Sequence, residues 1–363
     1  MRVTLKEVAE RAKLSISTTS RALNGHPAIS EETSAKVRKI AGELRYNPVR
    51  SHRRATPASS YLAGREIAIV SLGLDRSLVA MPVLSAAFQG AEESLIEAGA
   101  NVRLIHMPDL SRLPNDLRIA RLDGLILTGA MVKQFGDAID TPAVKQLKSV
   151  PSVWIIGQPP GAWGDAVVAD DFAVGVGAAE HLVANGHRQL AFLNHVPENL
   201  LFARREDGFY SAARRLGVKV RSFCQSPPTG WPLPLQAPTS VFDTVQTLTD
   251  QLLASKPRPT AIFTSADSVA GLVYCALGMR GLRVGGDISV VGGNNTPGLL
   301  AVPYPHLATF DIHARSIGEL AARQLGEQFS ERRMGISRDQ RIARQIVVRP
   351  TLVPGESVCN LTK

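Results

Sequence analysis

Residues 15–24 carry an unusual set of polar side chains. None of the ten is acidic, and the side chains expected to face outward are Ser17, Thr18, Ser20, Arg21 and Asn24. Short polar side chains let a helix sit deep in a major groove, and an Arg can grip a guanine with two hydrogen bonds. A solvent-exposed helix usually carries Lys and Glu instead. The pattern favours contact with DNA, with an ordinary three-helix bundle as the alternative.

Three short helices must position these side chains. Thr4 and Glu7 have the spacing of a capping box, which predicts the start of a first helix. Ser15 is a favourable N-cap for a second helix and Ser30 for a third. We therefore expect a helix-turn-helix head over residues 1–48.

The charge of the chain is concentrated at this end. Residues 1–63 contain 12 Lys and Arg against 5 Asp and Glu, a net charge of +7, whereas the whole chain carries +9. A basic head on a nearly neutral body is typical of nucleic-acid binding. A membrane-binding helix is a weaker interpretation, because the head lacks one continuous apolar face with Trp or Phe anchors.

Length and composition limit the class of protein. The 363 residues, 44% hydrophobic and 20% charged, favour a globular protein of two or three domains. No run of 18 apolar residues predicts a membrane span, and the N-terminus does not resemble a secretory signal. Cys224, Cys275 and Cys359 have neither disulfide nor zinc spacing. We expect a cytoplasmic protein without a metal or cofactor.

The body alternates strand-like and helix-like segments. Short apolar runs that predict buried strands stand at residues 67–70, 102–105, 124–127, 153–156, 190–193, 261–264 and 288–291. Such alternation predicts α/β lobes with parallel sheets. Two such lobes would bind a ligand between them, at the carboxyl ends of the strands.

Motifs of the common enzyme classes are missing from the sequence. It contains no GxSxG, no P-loop, no HExxH and no Rossmann GxGxxG. His187 has no evident nucleophile partner in the sequence, and we interpret it as a hydrogen-bonded structural residue. We therefore expect no enzymatic activity.

The order and spacing of these features resemble the lactose-repressor (LacI) family. The matching segments are residues 3–9, 15–25, 29–33 and 46–48 in the head, and 181–192 and 281–292 in the body. The run Ser20-Arg21-Ala22-Leu23-Asn24-Gly25 is the most specific of them. The resemblance implies that Ile16, Ser17 and Arg21 contact bases, and that phosphates are held by Thr4, Thr18, Ser20 and Asn24.

The head departs from the family pattern at two positions. Lys13 stands where the family usually has Gly in the turn, and a left-handed Lys would cost roughly 1 kcal/mol. We therefore expect either a slightly different turn or compensation at a phosphate. Thr19 replaces a usual Val, which should loosen the core of the head.

The linker over residues 49–64 departs further. Val49 replaces the usual Asn, and Ala55 stands about where the family places a Leu that wedges into the minor groove. Arg53 and Arg54 would instead place charge along that groove. A disordered basic tether is an equally weighted alternative.

The resemblance also implies a ligand site in the body. Arg205 stands at the family's effector-binding Arg, and Asn294 replaces a usual Asp. An Arg fork suits sugar hydroxyls or a carboxylate. Trp163 and Trp231 are candidates to stack on a sugar, although packing of loops is the more common role for such residues. A Pro-rich insertion over residues 227–238 is interpreted as a surface loop.

These inferences combine into one hypothesis. We expect a LacI-type transcriptional regulator, preferably a repressor, that binds a roughly palindromic operator as a homodimer and responds to a sugar or a sugar derivative. The expected divisions are a head (1–48), a linker (49–64), a first lobe (65–158 with 293–330) and a second lobe (159–292 with 336–358). A solute-binding protein without a DNA role is the alternative, and an enzyme is the third choice.

Overall fold

The chain divides into two compact units, Met1–Ala55 and Thr56–Lys363. The structure is a computed structural model. It describes residues 5–15, 18–19, 22, 30–44, 61–79, 81–115, 117, 121–226, 232–236, 241–296, 305–337 and 340–362.

The first unit contains the expected helical head. Helix α1 spans Leu5–Ala12 and α2 spans Glu31–Glu43, and Thr18, Thr19 and Ala22 between them are helical. One apolar core joins the three segments through Val8, Ala12, Ala22, Val37 and Ala41. The head therefore buries a small core of its own.

The second unit contains the remaining helices and strands. Its first stretch comprises β1 (Glu66–Leu72), α3 (Arg76–Val79), α4 (Pro82–Glu97), β2 (Asn101–Met107), β3 (Gly124–Gly129), α5 (Gln134–Ala138), α6 (Pro142–Leu147), β4 (Ser152–Ile156) and β5 (Asp165–Ala169). The next comprises α7 (Asp171–Ala184), β6 (Gln189–Asn194), α8 (Leu200–Arg215), β7 (Lys219–Cys224), α9 (Val241–Ala254), β8 (Ala261–Thr264), α10 (Asp267–Gly278) and β9 (Ser289–Val291). The last comprises β10 (Thr309–Asp311), α11 (Ala314–Arg333), β11 (Gln345–Val348) and β12 (Thr351–Val353).

These strands form two parallel sheets, as the alternation predicts. The first lobe has the strand order β11-β5-β4-β3-β1-β2 and the second has β7-β6-β8-β9. All the pairings within these two sheets are parallel, and a short antiparallel pair, β10 with β12, lies outside them. β1, β3, β4, β6 and β8 are buried almost throughout because both faces of each sheet are covered.

Glycines let the packed helices of each lobe approach closely. A Cβ added at Gly175 of α7 would lie 1.9 Å from the backbone oxygen of Arg205 on α8. In the first lobe a Cβ added at Gly318 of α11 would lie 1.9 Å from the backbone oxygen of Ala87 on α4. Only residues without a side chain fit at such contacts. The α7–α8 contact fixes where Arg205 stands.

The division between the lobes differs from the expected one at two places. Residues 159–292 and 336–358 were assigned to the second lobe, but β5 (Asp165–Ala169) and β11 (Gln345–Val348) pair with each other and join the first sheet. Their pairing depends on contacts between residues about 180 positions apart, which the local pattern of the sequence does not contain. The chain thus enters the second lobe after β5 and returns to it after β12.

Part of the Pro-rich insertion also differs from the expected surface loop. Residues 232–236, which we call the strap, lie on the first lobe. The Leu235 amide donates to the Gly73 carbonyl oxygen at 2.8 Å, and the Asp75 amide donates to the Leu235 carbonyl oxygen at 2.7 Å. The Leu235 side chain belongs to the same buried cluster as Leu74. The strap therefore joins a segment between β7 and α9 to the first lobe.

Candidate functional site

The head positions its candidate DNA-binding helix by a cap. The Ser15 hydroxyl oxygen accepts from the Thr18 amide at 3.0 Å and lies 2.8 Å from the Thr18 hydroxyl. This confirms Ser15 as an N-cap. Of the residues expected to contact DNA only Thr18 is described by the structure; Thr4, Ile16, Ser17, Ser20, Arg21, Asn24, Arg53 and Arg54 lie outside the described residues.

Both departures in the head have a visible consequence. Lys13 has a φ of 55°, so the turn keeps the left-handed conformation even without glycine. Its amide still donates to Glu10, and the Leu14 amide donates to Ala9. Thr19 is fully buried, and its hydroxyl has no hydrogen-bond partner among the described residues.

The body has a cavity of approximately 310 Å³ between α4 and the segments that connect the lobes. Its volume is within the range of small-molecule sites. The described residues that line it are Pro82, Val83, Ala86, Asn294, Asn295, Thr296, Asp311, His313, Ala314, Arg315 and Ser316. Asn294, one of the two main ligand residues expected from the sequence, is therefore at the cavity wall.

Arg205 is joined to Asn294 beneath this cavity. The Arg205 Nη2 donates to Asn294 Oδ1 at 2.8 Å, although the two residues are 89 positions apart. Nη1 donates to the Ser265 carbonyl oxygen at 2.7 Å, and Nε donates to Asp171 Oδ1 at 2.8 Å. The Arg205 side chain is only 2% exposed. It is thus a buried, fully oriented group rather than the exposed Arg of a surface helix.

Two capping residues hold the helices on either side of Arg205. Asp170 accepts from the Ala173 amide at the start of α7. Asn199 accepts from the amides of Leu201 and Phe202 at the start of α8, which carries Arg205. The Phe202 ring lies under the guanidinium, with 5.6 Å between the Arg205 Cζ and the ring centroid.

Two buried carboxyl groups accompany the single guanidinium. Burial raises the pKa of Asp171, against the attraction of Arg205. Burial also raises the pKa of Asp267, to about 6, although hydrogen bonds from Thr309 and Thr296 oppose the shift. The positive charge of Arg205 is therefore matched inside the protein by Asp171.

The sequence argument missed both carboxyl groups. Asp171 and Asp267 each follow a buried strand closely and stand at the first position of a helix. An acidic residue at a helix start is common for reasons of helix electrostatics alone, so this position gave no specific signal.

Trp163 has a packing role in the first lobe. Its ring meets the Trp154 ring edge-on, with centroids 5.3 Å apart, and its carbonyl oxygen accepts from Trp154 Nε1 at 2.7 Å. It is not among the described residues that line the cavity. Trp231 lies outside the described residues.

His187 is buried at the opposite, amino end of the second sheet. Its Nδ1 lies 2.9 Å from the Thr260 hydroxyl and its Nε2 lies 2.9 Å from the Ser289 hydroxyl. This confirms the interpretation as a hydrogen-bonded structural residue. Among the residues that the structure describes, no group of three or more His, Cys, Asp or Glu could hold a metal ion. None of the described helices is both long enough and apolar enough to cross a membrane.

A small helical head joined to two parallel α/β lobes defines a DNA-binding regulator with a ligand-binding body. Residues 4–49 match the family described as bacterial regulatory proteins, lacI family, and residues 179–358 match the periplasmic binding protein-like domain. The chain belongs to the lacI family and is a DNA-binding transcriptional regulator.

Individual relatives extend over nearly the whole chain. The HTH-type transcriptional regulator GntR of Pseudomonas aeruginosa is 30% identical over 325 residues, covering 89% of this chain and 88% of that protein. The HTH-type transcriptional repressor PurR of Pectobacterium carotovorum is 27% identical over 365 residues, covering 98% and 97%. The ribose operon repressor of Escherichia coli is 27% identical over 323 residues, covering 88% and 90%.

Solved structures share the fold at lower identity. The transcriptional regulator CelR in complex with cellobiose has a TM-score of 0.61 at 21% identity, covering 98% of this chain and 100% of that chain. The lac repressor dimer bound to operator and an anti-inducer has a TM-score of 0.59 at 21% identity, covering 99% and 100%. These likenesses support the two-lobed fold.

Proposed function

We propose that this regulator is a repressor that binds a roughly palindromic operator as a homodimer, in the cytoplasm, and that a sugar or sugar derivative controls it. The observation that carries the ligand part is the buried Arg205–Asn294 pair at the wall of a cavity of approximately 310 Å³. Relatives named as repressors, the lac repressor dimer bound to operator and the CelR–cellobiose complex support the same assignment.

Base recognition in this proposal belongs to the second helical segment of the head. Ile16, Ser17 and Arg21 read base edges in the major groove, and Arg21 grips a guanine. Phosphates are contacted by Thr4, Thr18, Ser20 and Asn24, and the minor groove near the centre of the operator by Arg53 and Arg54. A basic tether that only raises local affinity remains the alternative for the last two.

Ligand recognition in this proposal rests on Arg205 and Asn294. Both carry hydrogen-bonding groups that the protein has already oriented, which reduces the cost of binding. Trp163 has no part in it, because its ring is packed against Trp154. The ligand changes DNA affinity only as far as it binds the two forms of the protein differently. The body needs no catalytic step for this role.

The DNA part is tested by selecting a duplex from a random pool with the full-length protein. Binding to that duplex is then followed by fluorescence anisotropy at several salt concentrations. We expect a palindromic sequence and an affinity that falls steeply with salt, since Lys and Arg release counterions from DNA. The substitution Arg21→Ala should weaken binding roughly 5- to 150-fold, the effect of losing one bidentate base contact of about 1–3 kcal/mol.

A matched control is Arg214→Ala on α8 of the body, where the side chain is exposed. This variant should bind the duplex as the wild type does. If the protein selects no duplex but still binds a sugar, the solute-binding alternative is correct. If Arg21→Ala binds as well as Arg214→Ala, the assigned recognition helix is wrong.

A further inference from the structure

Three buried polar atoms at the carboxyl edge of the second sheet have no hydrogen-bond partner among the described residues. They are Asn194 Nδ2, His195 Nδ1 and Ser265 Oγ, and we call these three residues the sheet-edge cluster. Asn194 ends β6 and His195 follows it, while Ser265 follows β8. The cluster therefore lies where parallel α/β lobes bind their ligands.

The register of the sheet brings these residues together. β6 and β8 are adjacent and parallel, with Leu193 opposite Thr264. The Ser265 amide donates to the Leu193 carbonyl oxygen at 3.1 Å. Asn194 and Ser265 thus follow neighbouring positions on adjacent strands, and both are fully buried.

Local hydrogen bonds fix how Asn194 is oriented. Its Oδ1 accepts from the Val196 amide at 2.9 Å, which leaves Nδ2 as the group without a partner. A buried donor or acceptor without a partner costs free energy, so folded proteins retain few of them. Three at one sheet edge are better explained by a ligand that supplies the partners than by chance.

The sheet-edge cluster is continuous with the proposed ligand site. One Arg205 guanidinium donates both to the Ser265 carbonyl oxygen and to Asn294 Oδ1, and Asn294 lines the cavity. Ser265 and Asn294 are therefore separated only by that guanidinium. The cluster extends the site along the second sheet from this point.

The charges around the site disfavour an anion. Asp171 matches the charge of Arg205 at 2.8 Å, and Asp267 is a second buried carboxyl group nearby, at the start of α10. Burial lowers the pKa of His195 to about 4, so this side chain is neutral at pH 7. A carboxylate or phosphate would meet no unmatched positive charge here, and burying it would be costly.

We propose that Asn194, His195 and Ser265 form a subsite that binds the hydroxyl groups of an uncharged sugar. A hydroxyl both donates and accepts, so it can serve the Asn194 amide donor, the Ser265 hydroxyl and either tautomer of His195. A sugar acid is excluded by the same arrangement because it brings a charge without a partner. This inference rests on the proposed function of the body as an effector site.

The first test needs no ligand. Because the Ser265 hydroxyl has no partner, Ser265→Ala should leave the melting temperature of the full-length protein unchanged or raise it. The matched control is Ser255→Ala in the same lobe, whose hydroxyl donates to the Leu252 carbonyl oxygen at 2.7 Å. The control should lower the melting temperature. If Ser265→Ala lowers it by as much as Ser255→Ala does, the hydroxyl has a partner within the protein and the proposal is overturned.

The second test measures the melting temperature with ribose, glucose and cellobiose, and with the corresponding acids ribonate, gluconate and cellobionate. A ligand of the folded state must stabilise it. We expect a neutral sugar to stabilise the wild type, its acid not to, and Ser265→Ala to bind that sugar roughly tenfold more weakly or worse. The proposal fails if only an acid stabilises the protein, if no neutral sugar of the panel does, or if Ser265→Ala binds the sugar as the wild type does.

Failure of the regulator assignment would be recognised separately. Apo Ser265→Ala should bind the selected DNA duplex as the wild type does, because the substitution lies in the body and leaves the head unchanged. Loss of sugar binding with DNA binding retained concerns the subsite alone. Sugar binding by a wild type that selects no duplex would overturn the regulator and leave the subsite intact.

Discussion

At the scale of single residues, the head tolerates two positions that local rules disfavour. Lys13 adopts a φ of 55°, where a side chain costs roughly 1 kcal/mol relative to glycine. Thr19 buries a hydroxyl that has no partner among the described residues. Each departure lowers the stability of a small core, and neither prevents α1 and α2 from packing together through Val8 and Val37.

The substitution Thr19→Val should therefore stabilise the head by about 1 kcal/mol, because it removes a buried hydroxyl and keeps the shape of the side chain. Unfolding in urea followed by far-ultraviolet circular dichroism measures the change. Tryptophan fluorescence follows the body separately, since Trp154, Trp163 and Trp231 all lie there.

The control for this prediction is Thr249→Val on α9. Thr249 is as buried as Thr19, but its hydroxyl donates to the Val245 carbonyl oxygen at 2.7 Å. That substitution should destabilise the body by about 1 kcal/mol. Equal destabilisation by both substitutions would show that the Thr19 hydroxyl has a partner after all.

At the scale of elements, the strap is the unexpected connection. It leaves the second lobe between β7 and α9 and pairs through Leu235 with the segment that follows β1. A second backbone hydrogen bond between the lobes, from the Leu200 amide to the Met131 carbonyl oxygen at 2.8 Å, lies at the start of α8. The lobes are thus held together by contacts beyond the segments that connect them.

Loss of the Leu235 side chain should release the strap. Leu235 is 6% exposed, and truncating a buried Leu to Ala costs about 2–5 kcal/mol. The variant Leu235→Ala should become sensitive to brief protease treatment, with mass spectrometry locating new cleavage within residues 232–236. Leu216→Ala, at a residue that is 39% exposed, is the control and should cleave as the wild type does. Equal protection of Leu235→Ala would mean that the backbone contacts alone hold the strap.

The sequence predicted local elements better than long-range pairings. The apolar runs identified β1, β3, β4, β6 and β8 because each is buried on both faces. They could not assign β5 and β11 to the first sheet, since lobe membership depends on a partner strand far along the chain. Composition likewise marked the Pro-rich insertion as a turn-forming segment but contained nothing about the contact of Leu235 with the first lobe.

The candidate site followed the same rule. Arg205 and Asn294 were found because a resemblance fixed both positions, and the structure joins them at 2.8 Å. Asn194, Ser265 and Asp267 were missed because each is an ordinary polar residue next to an apolar strand. Their importance depends on burial and on partners, and these exist only in the folded chain.

At the scale of the whole molecule, Asp267 ties the second lobe to the segments that lead back to the first. Its amide donates to the Gly293 carbonyl oxygen, while its carboxylate accepts from the Thr296 amide at 2.8 Å and from the Thr309 hydroxyl at 2.5 Å. A Cβ at Gly292 would lie 2.4 Å from Asp267 Oδ1, so the connecting segment can approach only as glycine. The ionisation of this carboxyl group is therefore coupled to how the lobes are joined.

This coupling predicts a pH dependence of stability with a definite sign. The folded pKa of Asp267, about 6, is above its ordinary value of 3.8, so the folded protein binds this proton more tightly than the unfolded chain does. The stabilisation is complete below the ordinary pKa and is lost as the pH rises through the folded pKa. Over that interval the loss should amount to roughly 2–4 kcal/mol.

Asp267→Asn isolates the effect, because an amide keeps an acceptor for the Thr296 amide and a donor for the Thr309 hydroxyl but does not titrate. The free energy of unfolding of the wild type minus that of Asp267→Asn, measured in urea between pH 4 and pH 7, should decrease as the pH rises. The pKa of His195, which burial lowers to about 4, acts in the opposite direction, but it is present in both proteins and cancels in the difference. A difference that stays constant or grows with pH would mean that the Asp267 carboxyl group is charged throughout and that its hydrogen bonds outweigh its burial.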